Sequence, residues 1–213
     1  MMRACHPSAL CAALAGLLLA GCAQTPYLCQ DRVKHFQAPD LDARAIRRVV
    51  VVPFDHAGHD QQAVHTVTQA FAQKLQELAR FEVIYQPDAT AAVDEEAKLW
   101  EKGQINLAVL SKAAAAFQAD AFVFGTITRY QPFDPPVLGL KVCMATASDG
   151  EVVWQADGVF DAKTAEVADA VKHYFKKRYK RDRHFYGWEM MLVSMPRYSE
   201  FVCEVVVASL GPP

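Results

Sequence analysis

Val49-Val50-Val51-Val52-Pro53-Phe54 is the feature that most restricts the fold of this chain. A run that is apolar at every position, not at every second one, suits a central strand covered on both faces. Such a strand needs helices on either side of its sheet, which places the chain among α/β proteins. Pro53 ends the run, and Asp60 can cap the helix that follows. In that helix Val64, Val67, Phe71, Leu75 and Leu78 recur at intervals of three and four and mark one buried stripe. Phe81 to Tyr85 reads as a second short strand, completing a strand, helix, strand unit whose crossover is expected to be right-handed.

The segment from Gln86 to Asn106 is charged and expected to be helical in part. A helix is predicted from about Asn106 to Gln118, with Leu107, Leu110, Ala114 and Phe117 on one face. It leads into Ala121-Phe122-Val123-Phe124-Gly125-Thr126-Ile127-Thr128, again apolar on both faces. Beyond Pro132 and Pro135-Pro136, two strands flank Ser148-Asp149-Gly150, which is hairpin chemistry. Leu138, Leu140, Val142 and Met144 are expected on one face of the first, with Lys141 and Cys143 on the other, and Val152, Trp154, Ala156 and Phe160 on one face of the second. A helix from Thr164 to about Arg183 and a last one with Pro196 in its first turn, carrying Tyr198, Phe201, Val202 and Val205, close the chain. Trp188, Met190, Met191, Leu192 and Met195 are expected as a core strip under it, with a membrane or subunit contact as the competing reading. The expected architecture is α/β: a single mixed sheet of about five strands, formed by the strand-helix-strand unit plus an antiparallel hairpin, with helices packed on it and a helical C-terminal extension.

At the other end of the chain, Arg3 precedes an almost wholly apolar stretch from Ala9 to Ala20 that closes as Leu19-Ala20-Gly21-Cys22. This is the order of a signal peptide, and its small residues before a cysteine read as a lipoprotein processing site with Cys22 as the lipidated residue. An ordinary secretory signal cut near the same place is the competing reading. The stretch falls short of the roughly 20 apolar residues that a membrane helix needs. Ala23 follows the cysteine. By resemblance to enterobacterial lipoproteins, a residue other than Asp there implies the outer membrane, with the protein facing the periplasm. The expected organisation is a signal peptide over 1–21, a lipid-anchored tether over 22–45, a mixed α/β domain over 46–162 and the helical extension over 163–213. A stretched tether of that length reaches roughly 80 Å.

Apolar residues make up 52% of the chain and its formal net charge is −2, so neither disorder nor general nucleic-acid binding is indicated. Loss of the signal removes Cys5 and Cys11, and lipid would occupy Cys22, leaving Cys29, Cys143 and Cys203 either as buried thiols or with one disulfide among them. His56, His59 and His65 gather with Asp55 and Asp60 after the first strand. A polar turn and a helix cap account for them without a metal, and no cofactor motif is present. No Ser/His/Asp or Cys/His arrangement, paired-carboxylate motif or phosphate-cradling glycine loop occurs, so the chain is read as non-enzymatic, with a metal-dependent hydrolase as the distant alternative.

The strongest charge feature runs from Lys172 to His184. Lys176, Lys177, Arg178, Lys180, Arg181 and Arg183, interleaved with aromatics, make a candidate contact for an envelope protein, an anionic polymer or anionic lipid headgroups. The alternative is a solvated helix end whose cations suit the negative pole of its dipole.

Four stretches carry a resemblance: Val49 to Phe54 with its Pro-Phe-Asp ending, Leu78-Ala79-Arg80-Phe81-Glu82-Val83-Ile84, Ala119 to Thr128, and Ala147-Ser148-Asp149-Gly150-Glu151-Val152-Val153-Trp154. Together, over about residues 47 to 161, they resemble a periplasmic fold shared by three kinds of protein. These are the amino-terminal domain of the Tol translocation protein, the curli secretion-channel lipoprotein and the lipoprotein activator of penicillin-binding proteins. The resemblance implies a fold used for interaction and not for catalysis. The charged Gln86 to Asn106 stretch lacks the alternating strands of about 9 to 11 residues that a curli-type pore needs. The expectation is an outer-membrane lipoprotein acting as an interaction module in envelope assembly, or alternatively a ring-forming homo-oligomeric subunit of an export complex.

Overall fold

The computed structural model describes residues 29–58, 60–85, 100–101, 104–179 and 187–211. Its strands are β1 (Lys34–Gln37), β2 (Arg48–Val51), β3 (Asp55–His56), β4 (Glu82–Tyr85), β5 (Trp100–Glu101), β6 (Gln104–Ile105), β7 (Ala121–Gln131), β8 (Val137–Thr146) and β9 (Val152–Asp161). The helices are α1 (Gln61–Glu77), α2 (Leu107–Phe117), α3 (Ala165–Arg178), α4 (Met190–Val193) and α5 (Met195–Val207). A sheet of seven strands runs in the order β1-β9-β8-β7-β2-β4, with β3 pairing β7 beyond the end of β2. The pairs of β2 with β4 and with β7 are parallel, and β7-β8, β8-β9 and β9-β1 are antiparallel. The expected mixed sheet is present, but with seven strands and not five.

The two added strands have physical reasons to be hard to see. β1 is an edge strand of polar and aromatic residues, Lys34-His35-Phe36-Gln37, mostly exposed and without an apolar alternation. β3 is two residues long and follows the break at Pro53. β1 also changes the picture of the stretch expected to be a tether. Val33, Ala38 and Leu41 are buried, and the Ala38 amide donates to the Val153 carbonyl at 2.9 Å, so the chain belongs to the folded body from Cys29 onward. Of the Gln86 to Asn106 stretch, 86–99 lies outside the described residues, while 100–101 pairs with 104–105 as a two-stranded ladder.

From β2 the chain moves one way to β4 and then back across to β7, and the helices of these two crossovers lie on opposite faces. A constant hand of crossover requires that arrangement. The alternation of β2 feeds both faces: Val49 and Val51 join the larger core under α1 and α5, and Val50 and Val52 join a smaller one under α2. In the larger core Phe71 of α1 packs on Phe54 at 5.3 Å and on Trp154 at 6.4 Å between ring centroids. The second core holds Leu110, Ala113, Phe122, Phe124, Cys143 and Ala145. Leu138, Leu140, Val142 and Met144 share the larger core with Trp154, Ala156 and Phe160 as the alternation predicts. Val152 packs instead against the α2 core, because the β8-β9 register shifts between Met144 and Ala145 and sends it to the opposite face.

The C-terminal helices are integral to the larger core. Pro196 lies in the first turn of α5, and Tyr198, Phe201, Val202 and Val205 are buried. Met191 and Met195 are buried beneath it, with Trp188 and Leu192 packed against the same core. Phe201 meets Phe160 and Tyr174 edge-on at 6.2 and 5.6 Å. α3 ends at Arg178, short of the expected Arg183, with Tyr179 as its C-terminal cap, and 180–186 lie outside the described residues. Among the described residues no helix is long and apolar enough to cross a membrane.

Candidate functional site

The basic segment divides at the end of α3. Lys176, Lys177 and Arg178 form its last turn, where cations offset the partial negative charge of the exposed carbonyls. Lys180, Arg181 and Arg183 lie outside the described residues, as does Cys22. Lys176 and Lys177 are exposed. Arg178 is bound into the fold: its guanidinium pairs with Glu77 at the end of α1, and its Nε stands 3.4 Å from Glu204 Oε2 of α5.

Lys74 completes that cluster. Its side chain is only 3% exposed, with Nζ 3.3 Å from Glu77 and 3.5 Å from Glu204, and it lies over the Tyr174 ring at 5.9 Å. Two cations and two carboxylates thus close a network where α1, α3 and α5 meet. Burial works against the charge on Arg178, but the Tyr174 hydroxyl and the Glu204 and Glu77 carboxylates outweigh it and raise its pKa. Burial, followed by the Glu204 charge, pushes the Tyr174 phenol up as well. The arrangement fixes α3 against the domain and turns its exposed last turn outward. It could not be read from the sequence, since the partner Glu77 lies 101 positions from Arg178.

The histidine group is spread over separate structural tasks. Asp60 accepts from the amides of Gln62 and Ala63 at 3.0 and 3.1 Å, capping α1 as expected. His56 lies edge-on to Tyr130 at 5.8 Å, and His65 Nδ1 is 3.4 Å from the Tyr85 hydroxyl. His59 is outside the described residues. Among the described residues no group of three or more His, Cys, Asp or Glu side chains could hold a metal ion.

Cys29, Cys143 and Cys203 are buried free thiols. They point to different places: the Cys29 thiol donates to the Glu166 carbonyl at 3.2 Å, Cys203 approaches the Val67 carbonyl at 3.8 Å, and Cys143 sits in the α2 core. Burial pushes the Cys143 thiol up to about 11 and raises those of Cys203 and Cys29.

No family model and no curated protein matches the chain. Among solved structures it is similar to the PelC dodecamer from Paraburkholderia phytofirmans at 22% identity, over 65% of this chain and 87% of that chain, with a TM-score of 0.44. It is similar to the lipoprotein GNA1162 from Neisseria meningitidis at 18% identity, over 64% of this chain and 99% of that chain, with a TM-score of 0.40. It is similar to the LpoB C-terminal domain from Salmonella enterica at 12% identity, over 55% of this chain and 84% of that chain, with a TM-score of 0.36.

Proposed function

We propose that this chain is a lipid-anchored lipoprotein of the outer membrane, facing the periplasm and acting without catalysis as an interaction module in envelope assembly. The observation that carries the reading is the spacing between Leu19-Ala20-Gly21-Cys22 and Cys29, which is buried in the described fold. Seven residues span at most roughly 25 Å, so a lipid on Cys22 holds the domain close against its own bilayer. Reach to the far membrane is not a property of such a protein, and its partner has to come to it. The exposed last turn of α3 carries Lys176 and Lys177, and Lys180, Arg181 and Arg183 follow in the sequence, a run of positive charge suited to an envelope protein or anionic polymer.

Membrane fractionation of cells fed a tagged fatty acid tests the anchor: the wild-type protein carries label and sediments with outer membranes, and Cys22→Ala abolishes both. An unlabelled wild-type protein in the soluble periplasmic fraction contradicts the reading. For the basic surface, Lys176→Gln with Lys177→Gln, Lys180→Gln and Arg181→Gln should weaken partner capture at low salt while the fold persists. Arg178 is left intact in that variant because it holds α3 in place.

A ring-forming subunit is the second reading. Both outer strands of the sheet, β1 and β4, end its strand order, and such edges can pair with another copy. Light scattering on the purified lipoprotein separates the two, since a strict monomer at high concentration removes the ring.

A further inference from the structure

Among the described residues, the two most exposed large apolar side chains lie at one end of the sheet, the end that also holds Cys29. Phe133 is 78% exposed in the loop Pro132 to Pro136 that joins β7 to β8. That loop closes where Gln131 pairs with Val137 and Val137 with Asp161, and it is tied to the start of the C-terminal region by the Ala162 amide donating to the Pro136 carbonyl at 3.1 Å. Cys29 is fixed at the same end. Its thiol donates to the Glu166 carbonyl in the first turn of α3, and Arg32 pairs with the Glu166 side chain. Val193, 67% exposed, ends α4 just before α5. The Tyr198 hydroxyl in the first turns of α5 donates to the Phe160 carbonyl at 3.1 Å, which puts the start of that helix at the end of β9 too. The far end of α5 meets the other end of the same strand, through the Trp154 Nε1 bond to Ser209 at 3.2 Å.

We propose that the Pro132–Pro136 loop with Phe133 at its tip, together with Val193, seats this end of the domain on the bilayer that holds the Cys22 lipid. The inference rests on the anchor reading above. With at most roughly 25 Å of chain between Cys22 and Cys29, and Phe133 displaced from the entry point by two to three strand spacings, about 10–15 Å, the bilayer is the surface these side chains meet. A single acyl anchor leaves a domain free to swivel, and a second apolar contact fixes which face looks into the periplasm. Asp134 beside Phe133, with Asp31 and Lys163 near the chain entry, keeps the contact at headgroup depth.

The test uses the full lipidated protein reconstituted into vesicles of phosphatidylethanolamine and phosphatidylglycerol, with and without bromine on the acyl chains. Tryptophan is placed by Phe133→Trp, by Val193→Trp and, as a control at the opposite end, by Leu107→Trp, where Leu107 is 54% exposed beside the Gly150 turn. The emission added at 133 and at 193 should lose about half its intensity in brominated vesicles, and that added at 107 should be unchanged. Quenching at neither or only one of 133 and 193, in protein whose Cys22 carries acyl chains by mass, overturns the proposal and leaves the anchor standing. Cys22 found without acyl chains overturns the anchor and the proposal with it.

Discussion

Arg178 Nε stands 3.4 Å from Glu204 Oε2, and the same carboxylate oxygen lies 3.5 Å from Lys74 Nζ. One buried-side carboxylate therefore neutralises cations from two other helices, and the last turn of α3 owes its position to it. Removing only that charge leaves Lys74 enclosed with Glu77 as its remaining counterion. Glu204→Gln should cost about 2–3 kcal/mol, below the 3–5 typical of a fully buried pair because the Arg178 side chain is 39% exposed. Urea denaturation reads it as a lower midpoint at unchanged slope.

Gly125 sits in β7 with no room for a side chain. An added Cβ would lie 2.5 Å from Phe54 Cδ1, and Phe54 is itself held against Phe71 at 5.3 Å between ring centroids. Gly125→Ala should destabilise the domain by about 1–3 kcal/mol through overpacking. A second change, Phe54→Leu, should recover part of the loss in the double variant, a coupling that a double-mutant cycle measures.

Asp120 accepts from the backbone amides of Arg47 and Arg48, both at 2.9 Å, joining the start of β7 to the start of β2. These bonds, Arg48 first and then Arg47, lower its pKa below the ordinary carboxylate range. A lowered folded-state pKa stabilises the fold above the unfolded value, and that contribution disappears as pH falls through the folded value. Asp120→Asn should therefore be less stable than wild type at neutral pH, and the two melting curves should converge in acid. A gap that stays constant down to the acid limit would show that the carboxylate charge is irrelevant.

The three thiols Cys29, Cys143 and Cys203 should be unreactive toward a polar thiol reagent at pH 8 in the native state. Each is buried and raised by burial. All three should react once denaturant is added. Failure to label under denaturing, non-reducing conditions would reveal a disulfide that this packing does not contain.

What the sequence discloses follows from where apolar side chains carry the information. The valine run of β2, the stripe of α1 and the alternation of β8 are each fixed by burial, and the expected strands and helices are found there. β1 escapes because Lys34, His35 and Phe36 stand exposed at an edge and are recruited by backbone pairing with β9, which has no side-chain signature. Val152 is assigned to the wrong face because β9 carries an extra residue, Val153, where Met144 and Ala145 pair with Trp154 and Val152, and such a bulge leaves no mark in an apolar run. The basic segment is visible as charge, but the structural commitment of Arg178 is not, because Glu77 and Glu204 reach it only through the packing of α1 and α5. Phe133 is unremarkable between prolines until the fold sets it at the end where Cys29 enters.

The central claim is that the domain is held by a lipid on Cys22, and the mass of the mature N-terminal peptide recovered from outer membranes tests it most directly. The account predicts a chain that starts at Cys22, lacks residues 1–21 and carries acyl chains on that cysteine. A mature chain that starts elsewhere, or a Cys22 thiol free of lipid, would contradict it.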